Sequence, residues 1–217
     1  MKPKQSQQTG RLRLSHLREV NEAHGEEMAA ERGRFHRLAR EDSAPKVFSS
    51  FNLFPTPPTL ADRLIDLADI RAGHKVLEPS AGTGRLLDAI ARKFGNPYEH
   101  HIEATAVEMD GPLWHHLSDS SFAMWTNARL ADFLTWTTDE RFDRIVANPP
   151  FRMGADVLHI ERMQTLLKPK GRLVSICGTG SKRQQIFDIA TEVVYLPRGS
   201  FRSEGTGVDA AIVVIDG

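Results

Sequence analysis

The sequence is poor in cysteine and aromatic residues, carries no net charge and has no long hydrophobic run. Cys177 is the single cysteine among 217 residues, which excludes an intrachain disulfide and a cysteine-rich zinc site. Lys plus Arg and Asp plus Glu each number 28, so the formal charge is zero. A strongly basic chain would point to nucleic acid, and this balance does not. A local basic face can still bind phosphates while the total cancels. No apolar run approaches the ~20 residues of a membrane span. The first ten residues, MKPKQSQQTG, carry no hydrophobic signal region. An intracellular, cytoplasmic location is the expectation.

What remains is the composition of a globular protein, 40% hydrophobic and 26% charged, with enough chain for one catalytic domain and an extension. Residues 11–43 are rich in Arg, Glu, Ala and Leu and read as one or two helices. Arg32, Arg34, Arg37 and Arg40 give them a basic patch opposed by Glu22, Glu26, Glu27 and Glu31. Either a solvated helical face or a nucleic-acid-contacting arm fits that pattern. The expected division is a tail and helical extension over 1–45 and a domain over 46–217.

Within 46–217 the pattern changes. Residues 59–70 place Leu60, Leu64, Leu67 and Ala68 on one helical face. Strands are expected at 75–77, 101–107, 125–128, 142–147 and 172–176, with helices at 85–91, from 112 and at 155–167. Strand, short turn, helix, strand is the signature of a doubly wound, mostly parallel sheet. Two final strands, 192–196 and 210–215, are joined by the Gly-rich stretch 199–207 in place of a helix, which predicts an antiparallel C-terminal hairpin. The fold class is therefore α/β with seven strands.

Ligands of such sheets bind beyond the carboxyl ends of the strands, and the polar oddities of this chain cluster there. Glu78 and Gly82-Thr-Gly84 follow the first strand, Glu108 the second, Asp132 and Phe133 the third, and Asn148-Pro-Pro-Phe151 the fourth. Gly82 and Gly84 let the backbone pass close to a ligand at the start of a helix. The dinucleotide pattern G-x-G-x-x-G is incomplete because its third position is Leu87, and no G-x-x-x-x-G-K-[ST] loop exists. An acid at Glu108 can accept both hydroxyls of an adenosine ribose. Glu78 would repel a diphosphate but suits an amino group. These charges fit a nucleoside carrying an amino acid.

Four stretches together, EPSAGTG at 78–84, AVEMD at 106–110, ADFL at 131–134 and NPPF at 148–151, resemble the class I S-adenosylmethionine (SAM)-dependent methyltransferases, whose fold is Rossmann-like. LLKPKGRLV at 166–174, FPTP at 54–57 and FRSEGTGV at 201–208 are most similar to the phage- and plasmid-type N6-adenine DNA methyltransferases. The resemblance spans residues 48–217. It implies that SAM is the cofactor, with Glu78 and the loop of Ala81, Gly82 and Gly84 at its methionine part. It places Thr56 near the methionine carboxylate, Glu108 at the ribose and Asp132 with Phe133 at the adenine, with Met109 among the cofactor-binding residues. Lys170 stands where many relatives have Gly, in what reads as a turn.

The same resemblance implies that Asn148, Pro149, Pro150 and Phe151 are the catalytic group. The Asn148 side-chain oxygen and the Pro149 carbonyl can each accept one N–H of an exocyclic amine, favouring the positive charge that develops on nitrogen. The prolines hold that carbonyl rigidly. Phe151 would stack on a base taken out of its duplex. Arg152 and Phe201 are candidate substrate contacts. Nucleic acid is the expected partner, DNA before RNA, with no membrane and no metal.

Other substrates share this geometry, namely adenine N6 or guanine N2 in RNA and a glutamine amide in protein. A non-catalytic SAM-binding module and a nicotinamide-dependent dehydrogenase are further alternatives, the latter disfavoured by Leu87. No insertion between the motifs has the size of a recognition region, so loose sequence preference is expected on DNA. Cys177 reads as a small buried residue, and His159 and Glu161 as surface positions of the helix after NPPF. Met109, Met124, Met153 and Met163 read as packing residues.

Overall fold

In the computed structural model the described residues are 55–119, 121–201 and 207–217, all within the compact unit Ser50–Gly217. The expected helical arm, the 45/46 boundary, Phe54 and residues 202–206 of the FRSEGTGV stretch lie outside the described residues. The elements run α1 (Pro58–Ala68), β1 (Lys75–Pro79), α2 (Arg85–Phe94), β2 (Glu103–Glu108), α3 (Gly111–Asp119), β3 (Thr126–Leu130) and β4 (Phe142–Ala147). They continue as α4 (Ala155–Leu166), β5 (Leu167–Gly178), α5 (Gln184–Ile189), β6 (Glu192–Tyr195) and β7 (Ala210–Asp216). None of the described helices is long and apolar enough to cross a membrane.

Local chemistry marks the helix boundaries. Pro58 opens α1, where its missing N–H is not needed. Gly84 and Gly95 flank α2 with φ of 78° and 70°, conformations that a side chain disfavours. At Gly84 an added Cβ would also lie 2.7 Å from Phe122 Cε2. This glycine is therefore required by packing between α2 and the segment before β3, whatever ligand sits nearby.

The seven strands form one sheet of order β3-β2-β1-β4-β5-β7-β6. Strands β1 to β5 pair in parallel, while β7 is antiparallel to both β5 and β6. The expected hairpin is present, and β7 folds inward beside β5, so the antiparallel strand lies one place in from the edge. This is the Rossmann-like methyltransferase arrangement.

Side chains alternate across such a sheet, and the core divides accordingly. Val76, Val146, Val174 and Val214 join α1, α2, Leu117 and Phe122 on one face. Their neighbours Leu77, Ile145, Leu173 and Val213 join α4 and Ile186 of α5 on the other. Helix α5 was not expected. Six residues with one buried apolar side chain, Ile186, are too few for a helical period to show.

Strand β5 begins earlier than expected. Phe142 pairs with Leu167 and Arg144 with Arg172, so residues 168–171 bulge out within the strand. Lys170 sits in that bulge at φ 64°, the left-handed region where relatives with Gly meet no penalty.

Candidate active site

Strand order reverses between β1 and β4, since β1 leads to β2 on one side and β4 leads to β5 on the other. The crevice beyond the strand ends opens at such a switch point. Glu78 ends β1 on one side of it and Asn148 follows β4 on the other.

The β1 side is a tight loop tied to β2. The N–H groups of Ser80 and Ala81 both donate to the Val107 carbonyl, at 2.9 and 3.0 Å. Ser80 has φ 118° and Gly82 φ 54°, so the chain turns sharply before α2. Glu108 locks this turn, its Oε2 accepting the Gly82 N–H at 2.7 Å. Its Oε1 accepts the Asp110 N–H at 2.8 Å. Burial raises the Glu108 carboxyl above its ordinary range, against the opposing pull of the Asp110, Gly82 and Met109 N–H groups.

Glu78 is 3% exposed, and its Oε2 is buried without a hydrogen-bond partner, as is Thr83 Oγ1. Burial, then the neighbouring Glu108 and Asp88, push the Glu78 carboxyl well above its usual range. An unpartnered buried acceptor of this kind calls for a donor, and an ammonium group best supplies one. Glu78 thus fits an ammonium such as the amino-acid end of SAM carries, while both Glu108 oxygens already accept main-chain N–H groups.

Beyond β3, the Leu134 N–H donates to Asp132 Oδ1 at 2.9 Å. The Phe133 ring is directed elsewhere. It is buried, faces His159 with ring centroids 5.5 Å apart, and carries the Arg162 guanidinium 5.4 Å from its centroid. Any contact of Phe133 with an adenine would therefore come from its main chain. His159, expected at the surface, is buried beneath this ring with Nδ1 2.7 Å from the Ala155 carbonyl oxygen.

On the β4 side, the buried Thr56 meets Asn148, whose Nδ2 donates to Thr56 Oγ1 at 3.1 Å. This turns the acceptor oxygen of the amide away from Thr56. Pro149 is buried, while Pro150 and Phe151 are half-buried. The Phe151 ring stands edge-on to Phe201, with centroids 6.1 Å apart and planes at 79°. Phe201 is 0% exposed, so it supports Phe151 from beneath and is not a surface contact for substrate. Arg152 is exposed beside it.

Two further residues, unmarked by any motif, complete this side. Asp156 of α4 is 0% exposed, and Arg183 donates to both its oxygens from Nε and Nη2, at 2.9 and 2.8 Å. Arg183 Nη2 also donates to the Phe151 carbonyl at 3.0 Å. Cys177 is buried as expected, and burial, with Asp156 beside it, pushes its thiol up to about 12. It is not a nucleophile at neutral pH. Among the methionines, Met163 is core, but Met124 and Met153 are each 69% exposed, contrary to the packing role expected of them.

No protein-family model matches the chain. It is 35% identical over 96 residues to the type II methyltransferase M.TthHB8I of Thermus thermophilus, which is 44% of this chain and 20% of that protein. A probable thiol methyltransferase 2 of Arabidopsis thaliana is 29% identical over 69% of this chain and 68% of its own length. A tRNA1(Val) (adenine(37)-N6)-methyltransferase of Glaesserella parasuis is 27% identical over 39% of this chain and 36% of that protein. The chain thus spans about a fifth of the Thermus protein. Among solved structures, the methyltransferase subunit of a type I restriction-modification system from Streptococcus thermophilus superposes with a TM-score of 0.63. That match has 17% identity and covers 75% of this chain and 44% of the other. The chain thus has the fold of class I SAM-dependent methyltransferases, and the relatives it resembles in sequence are methyltransferases.

Proposed function

We propose that this domain methylates the exocyclic N6 amine of adenine in nucleic acid, with DNA favoured over RNA and SAM as methyl donor. Glu78, the 82–84 loop and Glu108 would hold SAM, which would supply a sulfonium-bound methyl for an amine nitrogen, with S-adenosylhomocysteine and a proton as the other products. The chain's own contribution is to the acceptor. Asn148 Oδ1 and the Pro149 carbonyl each accept an N–H of the amine, turning its lone pair outward and favouring the charge that develops on it. Phe151 holds the plane of the flipped base.

The observation that carries this reading is the Thr56–Asn148 hydrogen bond. It turns the donor end of the amide toward Thr56, which supports a role for the opposite, carbonyl end in holding the amine. The plant thiol methyltransferase aligns over most of the chain, yet a thiol has no pair of N–H groups for such acceptors to hold. RNA is the second reading, supported by the relative named for adenine N6 in tRNA.

The test is transfer of isotopically labelled methyl from SAM to unmethylated duplex DNA and to single-stranded RNA, with mass spectrometry of the digested nucleosides. N6-methyladenine from DNA that vanishes in Asn148→Ala is the expected result. Label confined to RNA moves the substrate and keeps the chemistry. Saturable SAM binding with no transfer to either would sink the assignment and direct attention to protein glutamines.

A further inference from the structure

A buried ion pair stands directly behind the aromatic of NPPF. Asp156, wholly buried at the start of α4, accepts from Arg183 in a two-pronged arrangement and also from the Gly178 N–H at 2.9 Å. Three elements therefore converge on one carboxylate, namely α4, the end of β5 and the segment leading into α5. Arg183 has a side chain only 14% exposed. It spends one further N–H of its fork on the main-chain carbonyl of Phe151, at 3.0 Å.

Burying such a pair is poor economy for stability alone, because apolar residues of similar size fill the same space without desolvating two charges. Its geometry suggests another use. The planar guanidinium can bond a carboxylate with one edge and still donate to a carbonyl, which a lysine ammonium cannot reproduce in the same directions. We propose that Arg183, held in register by Asp156, is a positioning residue that fixes the NPPF segment from behind. It would keep the Phe151 carbonyl from competing as an amine acceptor and set the angle at which the Phe151 ring leaves the chain.

The ring itself is braced separately by Phe201. Main chain and ring are thus anchored at two independent points, as a stacking surface for a mobile base requires. The residue after the next, Met153, has φ 54°. The chain turns sharply between Phe151 and α4, and without an anchor the ring would swing with that turn.

This inference rests on the reading of NPPF as the amine-holding segment, and the experiment separates the two. The chain is prepared with 4-fluorophenylalanine, and the Phe151 fluorine resonance is assigned by its loss in Phe151→Leu. Arg183→Met tests removal of the fork. Arg183→Lys keeps a charge beside Asp156 and guards against a variant that simply fails to fold.

The expected result for Arg183→Lys is a shifted or exchange-broadened Phe151 resonance with the resonances of the sheet core in place. SAM binding by calorimetry stays within about twofold, because Glu78 and Glu108 lie on the other side of the switch point. Turnover on an adenine-containing oligonucleotide falls on the order of 10²-fold in kcat, as expected for misplacement of the reacting base by about 1 Å, with the KM for SAM unchanged. An unmoved Phe151 resonance overturns the proposal. So does a moved resonance with unchanged kcat, or a lysine variant that disturbs every resonance alike, which would make the pair merely structural. If the unaltered protein methylates neither DNA nor RNA, the functional reading falls, and the fluorine spectrum still decides whether Arg183 orients Phe151.

Discussion

Asn148 Nδ2 donates to Thr56 Oγ1 at 3.1 Å, joining residues 92 positions apart in the chain. The resemblance to known methyltransferases places Thr56 near the methionine carboxylate of the cofactor. In the structure this hydroxyl meets the Asn148 amide, so Thr56 couples the approach to α1 with the end of β4.

Thr56→Val removes the hydroxyl that accepts from the half-buried Asn148 amide. The expected cost is about 0.5–1.5 kcal/mol in denaturant unfolding, with a loss of methyl transfer as the amide turns. Thr56→Ser keeps the hydroxyl and should restore transfer to near the original rate. Equal transfer by the valine and serine variants would show that the hydroxyl does not orient Asn148.

Glu78 links stability to pH. Its carboxyl is raised by burial, so the folded state favours the protonated form. Stability from this group is complete below the ordinary glutamate range and is lost as pH rises through the elevated folded value. Glu78→Gln should therefore raise Tm at pH 8 and leave it little changed near pH 4, measured without SAM. The same variant lacks a charge-assisted partner for the methionine ammonium, a bond of about 1.5–3 kcal/mol, so SAM affinity should fall about 10- to 100-fold. A Tm gain that persists unchanged into acid would contradict this account.

Lys170 occupies the left-handed region at φ 64° while its N–H donates to the Gly217 carbonyl at 3.0 Å. The conformation costs a side chain about 1–2 kcal/mol, partly offset by the greater entropy of glycine in the unfolded chain. Lys170→Gly keeps the backbone hydrogen bond and should stabilise by about 0.5–1 kcal/mol, or roughly 2 °C in Tm. Lys170→Val should do the reverse, because branching at Cβ worsens the same clash. Urea midpoints of the three proteins check the order.

Much of the domain is legible in the chain because the relevant signals are local. Short apolar runs bounded by turn residues marked β1, β2, β4 and β7, and the spacing of Leu60, Leu64 and Ala68 marked α1. Glu78, Glu108 and Asn148 could be named because each lies at the carboxyl end of a strand, and such ends in a parallel sheet share one side. No signal of that range could show α5, whose six residues leave no period to read. Nor could it show that β7 inserts between β5 and β6, since that depends on which edge the returning strand finds.

The sequence by itself determined the succession of the seven strands and the four longer helices and the polar residues at the strand ends, because backbone geometry turns short patterns into direction. Tertiary structure alone decided what those residues touch. It buried Phe201 under Phe151, turned the Phe133 ring toward His159 and away from the crevice, gave Thr56 to Asn148 and placed Arg183 behind NPPF. Each of these rests on a contact between segments far apart in the chain, and packing rather than local preference selects such partners.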